Sequence, residues 1–228
     1  MPSVKMPRKS TDTDMTPFVD IAFLILSFFI MATKFKPKEP VETKIPNSVS
    51  SEELPADDAV MVLVDSTDRV FFSVLSEKNK DVFNEVLDKI SQNRGITFTP
   101  QQIQNFRGNS AVGVKFQDLP GFLDKDLSEQ NTYNSEEAPG IPVKDTADNQ
   151  LIWWIGAAKQ LYAEKQQALK YLVKADGNAK YPVIEAVIAA FKKNDQLKFN
   201  LVTSLENAPI NSDLDKYNRR MPASSLGK

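Results

Sequence analysis

One side chain in this sequence sits where its chemistry demands an explanation. Asp20 is the only ionisable residue between Met15 and Thr33, inside the apolar run DMTPFVDIAFLILSFFIMATKF of residues 14–35. As a helix rising about 1.5 Å per residue, the Met15–Thr33 stretch covers about 29 Å, close to one hydrocarbon core. A carboxylate there costs on the order of 2.5–3.5 kcal/mol on insertion scales, and an isolated helix in lipid offers nothing to offset it. Thr16 lies one turn before Asp20 and Ser27 two turns after it, so Thr16, Asp20 and Ser27 form a polar stripe on one helix face. This arrangement suits a group that gains and loses a proton while facing partner helices. Plainer readings stand beside it: Asp20 held in an ion pair with a partner's lysine, and Thr16 and Ser27 bonding back to their own helix.

No other set of residues converges on a reaction. The acidic pairs Glu52–Glu53, Asp57–Asp58 and Glu136–Glu137 are adjacent in the chain and read as solvated charge. Asp65 and Asp68 lack the remaining pattern of a calcium loop. Gly108, Gly113 and Gly121 lack the Gly-Lys-Ser/Thr ending of a phosphate loop. The chain has no histidine and no cysteine, which removes the commonest general base, the commonest transition-metal ligand and the thiol nucleophile. The expectation is a protein that is not an enzyme and needs no cofactor or metal. A net charge of −2, with no large basic patch or base-stacking signature, also argues against nucleic acid as a partner. Trp153 and Trp154 follow one another on a helix, so they point about 100° apart. Either both fill the core, or one lies exposed as an interface anchor.

The elements that must position Asp20 follow from composition. Residues 1–14 form a polar N-terminal tail; Asp14 or Thr16 can cap the helix, and Pro17 suits its first turn. Residues 15–34 are expected to be a transmembrane helix. The run is longer than a signal-peptide core, is interrupted by Asp20 and lacks a small-x-small cleavage site, so it reads as an uncleaved anchor. Lys5, Arg8 and Lys9 on one flank balance Lys34, Lys36, Lys38 and Lys44 on the other, so charge does not choose an orientation. Residues 35–58, with Pro37, Pro40, Pro46 and Pro55, read as an extended linker. Its middle, Val41–Ser48, alternates well enough to add a strand to another chain's sheet edge, or else is a spacer.

Residues 59–205 are expected to form an α+β domain, a mixed β-sheet packed by helices. A hairpin of Val60–Val64 and Val70–Leu75 opens it, followed by a helix over 80–93. Residues 94–149 are irregular, with short helix candidates over 100–106 and 116–123, and about 78–149 reads as an insertion, a partner surface, or both. A helix over 150–166, a strand over 171–175, a turn at Asp176-Gly177-Asn178, a helix over 182–193 and a strand over 199–203 close it. Residues 206–228 form a polar tail.

With these residues in view, the chain resembles the ExbD/TolR family of bacterial energy-transducing proteins. Thr16, Pro17 and Asp20 match that family's Thr-Pro-x-x-Asp opening of a membrane helix, and Lys44-Ile45-Pro46 is similar to its short Leu-Pro segment after the helix. Lys174-Ala175-Asp176, Tyr181, Val187 and Leu201-Val202-Thr203 are similar to its closing strand–helix–strand. The stretch from about Lys78 to Asn149 is longer than the family's usual single helix. The resemblance implies a Gram-negative inner-membrane protein, with its N-terminus cytoplasmic and its domain periplasmic. It also implies a homodimer inside a ring of ExbB-like subunits in the lipid bilayer, coupled to a TonB-like energy transducer. Asp20 would then be the proton carrier of a motor serving outer-membrane transport. A TolR-like role in envelope integrity and a membrane-anchored periplasmic binding or scaffold protein are the alternatives.

Overall fold

The computed structural model describes residues 15–32, 41–48, 54–55, 57–76, 79, 81–144 and 148–205. The expected N-terminal tail, the start of the linker, the C-terminal tail, Glu52–Glu53 and Lys80 lie outside the described residues. The chain divides into two units, Met1–Pro37 and Lys38–Lys228.

In the first unit the described element is α1, Thr16–Ala32, 17 residues with none buried. Among the described residues no helix is long and apolar enough to cross a membrane. At 1.5 Å per residue α1 measures about 26 Å, short of a hydrocarbon core of about 30 Å.

The second unit contains β1 (Asn47–Ser48), β2 (Ala59–Val64), β3 (Val70–Leu75), α2 (Val82–Arg94), α3 (Pro100–Phe106), α4 (Leu119–Leu123), α5 (Leu127–Glu136), α6 (Leu151–Glu164), β4 (Lys170–Ala175), α7 (Tyr181–Lys193), β5 (Asn200–Leu201) and β6 (Ser204–Leu205). Four strands form one mixed sheet in the order β3-β2-β4-β5, and β1 pairs with β6 in a second, two-stranded sheet. β2 is antiparallel to β3 and parallel to β4, and β4 is parallel to β5. The expected mixed sheet with packed helices is therefore present. Of the expected last strand over 199–203 only Asn200–Leu201 forms; after Val202, whose N–H donates to the Val173 carbonyl at 2.8 Å, the chain turns to pair with β1 through β6.

Five of the six residues of β2 are buried, the pattern of a strand covered on both faces. Val60, Val62 and Val64 join Phe72 of β3 and the apolar stripes of α2, α6 and α7 in the main core. Trp154 is its centrepiece, fully buried with its ring 5.4 Å from Phe72, 5.7 Å from Phe116 and 6.3 Å from Phe83. Ala59, Leu172 and Val202 make a smaller cluster, against which Ile45, Met61 and Leu75 pack.

Residues 95–144 are folded into this core. Phe106, Val112, Val114, Phe116, Leu119, Phe122, Leu123, Ile141 and Val143 are all buried. Val112 exchanges both backbone hydrogen bonds with Phe72, at 2.9 and 2.8 Å, and the Ile141 N–H donates to the Val70 carbonyl at 2.8 Å. The outer edge of β3 is thus covered by the chain's own insertion. The Arg69 guanidinium fixes the arrangement: it pairs with Asp65 at 2.6 Å and donates to the Ala138 carbonyl at 3.2 Å, just past the C-terminus of α5.

α5 has no counterpart in the sequence reading. Its buried positions are two amides, Gln130 and Asn134, so apolar periodicity is missing. The Gln130 amide nitrogen donates to the Lys125 carbonyl and that of Asn134 to the Ala111 carbonyl, each at 2.8 Å. The available signal was the capping box: Asp126 accepts from the Glu129 N–H while Glu129 accepts from the Asp126 N–H. α4 begins at Leu119, three residues later than the expected start at Phe116.

Gly113 is where the insertion meets the sheet most tightly. A Cβ built there would lie 2.2 Å from the buried Phe71 ring. Gly113→Ala should lower stability by about 1–3 kcal/mol, the usual range for overpacking. Gly121→Ala, with nothing within 4 Å of its added methyl, should leave it nearly unchanged. Thermal melting of the two full-length variants followed by near-UV circular dichroism distinguishes these outcomes.

Candidate functional site

Two places carry the residues singled out from the sequence. The first is α1. Its start is set by Met15, whose carbonyl accepts from the N–H groups of Phe18 and Val19, each at 3.1 Å, while Pro17 occupies a position where no helical donor is lost. Asp20 is exposed on this helix, and Thr16, Pro17, Val19, Asp20 and Phe23 line one shallow depression on it. Ser27 donates to the Leu24 carbonyl at 2.9 Å, the back-bonding arrangement within its own helix. Around this stripe the large apolar side chains are open: Phe18 69%, Phe23 68%, Leu24 63%, Phe29 61% and Ile30 66% exposed. A surface of that kind is far more apolar than a soluble monomer tolerates, and it requires a covering phase or partner.

The second place is Val41–Ser48. Exposure alternates along it: Val41, Thr43 and Ile45 are half-buried, while Glu42, Lys44 and Pro46 are exposed. Val41 packs against the main core and Ile45 against the smaller cluster. Of the strand expected over Val41–Ser48 only Asn47–Ser48 forms, and the edge it joins belongs to its own chain: Asn47 and Ser48 pair in parallel with Ser204 and Leu205. The Lys44-Ile45-Pro46 segment is tied down residue by residue. The Lys44 N–H donates to the Asp176 carboxylate at 2.7 Å, the Lys44 carbonyl accepts from the Gly177 N–H at 3.0 Å, and the Pro46 carbonyl accepts from the Ser204 N–H at 3.0 Å.

Asp176 thereby becomes the clasp between this Val41–Ser48 segment, a strap along the domain, and the end of β4. N–H groups of Asn178 and then Lys44 hold its carboxyl below the usual carboxylate range. Nothing in the sequence connects positions 44 and 176; the local Asp-Gly-Asn turn marks Asp176 only as a turn residue.

The remaining candidates have structural occupations. Asp65 accepts from the Thr67 and Arg69 N–H groups, both at 2.8 Å. Asp68 accepts from the Lys180 N–H at 2.9 Å and pairs with its ammonium at 3.1 Å, interactions that lower its carboxyl. Among the described residues no three acidic side chains gather as a metal ion would need. Glu136 and Glu137 are exposed. Burial pushes the hydroxyls of Tyr162 and Tyr171 up to about 12, so neither phenol is a base at neutral pH. Trp154 fills the core, whereas Trp153 is 42% exposed with the Arg94 guanidinium 4.8 Å from its ring.

The clasp has a definite pH dependence. A carboxyl whose folded value lies below its unfolded value of about 3.9 contributes stability above that value and loses it as pH falls through the folded one. Protection of the Lys44 amide against hydrogen exchange, taken relative to the unstructured rate at the same pH, should therefore fall below pH ~3.9 in the full chain. Asp176→Ala should lower that protection at neutral pH, on the order of tenfold. Unchanged protection in the variant would show that β1 pairing alone retains the strap.

No curated protein and no solved structure matches the chain. The family model for the biopolymer transport protein ExbD/TolR matches residues 6–206, a span that takes in α1, the strap, the sheet and the insertion. The chain belongs to the ExbD/TolR family.

Proposed function

We propose that this protein is the proton-carrying subunit of an ExbB–ExbD-type inner-membrane motor that converts proton motive force into work for TonB-dependent outer-membrane transport. Family membership supports a role in energy transduction for biopolymer transport. The observation that carries the finer reading is Asp20, an exposed carboxylate on a helix whose large apolar side chains are all exposed. In this reading α1 spans the bilayer within residues 15–34, with the N-terminus cytoplasmic, the domain periplasmic and two copies inside a ring of ExbB-like subunits.

The physical chemistry of that role is simple. A neutral Asp20 faces apolar surroundings cheaply, whereas its ionised form needs donors from the ring. Protonation from the periplasmic side and release to the cytoplasm then alternate two preferred orientations of α1. Each charge crossing the field yields about 2.3 kcal/mol per 100 mV, enough to bias such a switch. Thr16, one turn away, belongs to the same polar face. Ser27 contributes a hydroxyl whose proton already has an acceptor on Leu24.

Asp20→Asn retains volume and polarity but cannot titrate, and it should abolish energised outer-membrane uptake in cells while the complex still assembles. Asp20→Glu should retain part of it. Uptake at the parent rate in Asp20→Asn, with the complex intact, would refute the proton-carrier assignment.

A further inference from the structure

The corner where α7 meets β5 has no part in the mechanism above, and its chemistry is distinctive. α7 ends in Lys192 and Lys193, and the tight turn after it, closed by the Asp195 and Gln196 N–H groups on the Lys192 and Phe191 carbonyls, leads straight to Leu197 and Lys198. Phe199 stacks on Phe191 at 5.6 Å and pins this turn against the domain. β5 runs parallel to β4 with Asn200 beside Leu172, so Lys198 stands level with Lys170 at the start of β4. All four lysines are exposed, and among the described residues no carboxylate pairs with any of them. Leu197, next to Lys198 in the turn, is 76% exposed, and Leu201 at the end of β5 is 53% exposed.

Two lysines in the last turn of α7 complement the helix dipole. That accounts for neither Lys170, nor Lys198, nor a leucine held out in solvent. The one acidic residue within the turn, Asp195, is drawn toward Lys159 at 3.7 Å, and the Lys170 N–H donates to the Asp58 carbonyl at 2.9 Å. An exposed apolar side chain among lysines is what an anionic bilayer surface binds: the side chain enters the headgroup boundary, and each lysine near the surface adds attraction.

We infer that this corner is a docking surface for anionic lipid headgroups. The inference rests on the membrane-anchored reading of α1. Nine residue steps from Ala32 to Val41 reach at most about 30 Å, longer than the roughly 20 Å of a six-residue β4. The tether therefore permits the end of the sheet bearing Lys170 and Lys198 to meet a bilayer, although the strap joins the sheet at the other end of β4.

The chain contains no cysteine, so Leu197→Cys gives the full-length protein a single site for an apolar bimane label. The labelled protein is placed in nanodiscs of phosphatidylcholine alone or of phosphatidylcholine with phosphatidylglycerol, and bimane quenching by acrylamide is measured. Phosphatidylglycerol should reduce quenching by about threefold or more. Combining the label with Lys192→Glu, Lys193→Glu and Lys198→Glu should remove that protection. A label at Tyr181→Cys, at the other end of α7 and also exposed, should be quenched equally in both discs. Equal quenching at position 197 in both lipids overturns the proposal, as does protection that survives the charge reversals. Protection seen in intact cells but in neither disc assigns the corner to an acidic protein and overturns it too. A chain that fails to co-elute with nanodiscs refutes the anchor itself, a result distinct from all of these.

Discussion

A strand buried on both faces has to be covered twice, and the architecture of this domain follows from that requirement. β2 and β4 lie in the middle of the sheet and carry apolar side chains on both sides. α2, α6 and α7 supply one cover, built around Trp154. On the smaller cluster the contribution comes from outside the domain as the sequence delimits it: Ile45, fourteen residues before the first strand of the main sheet, packs against Ala59, Leu172 and Val202. The segment that joins the helix to the domain is thus partly a core element. Its polar backbone is satisfied at Asp176, Gly177 and Ser204.

The insertion solves a different problem of the same sheet. A β3 edge left bare would present unpaired backbone groups to other chains. Val112 and Ile141 take up the Phe72 and Val70 groups, and Arg69 ties the turn of the hairpin to the end of α5. On the far side, β5 is two residues long, which itself limits edge pairing. The inserted residues are therefore bound into the fold, with the amides of Asn109, Gln130 and Asn134 buried beneath them.

How much of this could be read from residues alone depended on whether the signal was local. The hairpin at 65–68, α2, α6, β4 and α7 announced themselves through periodicity and turn chemistry, since each buries an apolar face against the core. Asp20 stood out because a single carboxylate in an apolar run is anomalous whatever surrounds it. The strand character of Val41–Ser48 was visible as alternation, but its partner was not, because register between positions 47 and 204 is a tertiary property. α5 escaped because amides occupy its core positions. The pairing of Arg69 with carbonyls near residue 138, and of Asp176 with the Lys44 N–H, left no trace in spacing at all.

The strap has a mechanical corollary. A pull applied to the chain before Val41 arrives at Asp176 and Gly177, the two residues that follow β4, before it arrives at the loop ahead of β2. Tension thus enters beside a central strand flanked on both sides, and past that attachment the pairing of Asn47 and Ser48 with Ser204 and Leu205 still has to yield. A force carried along this segment therefore meets two attachments in series, one past the end of β4 and one at β6.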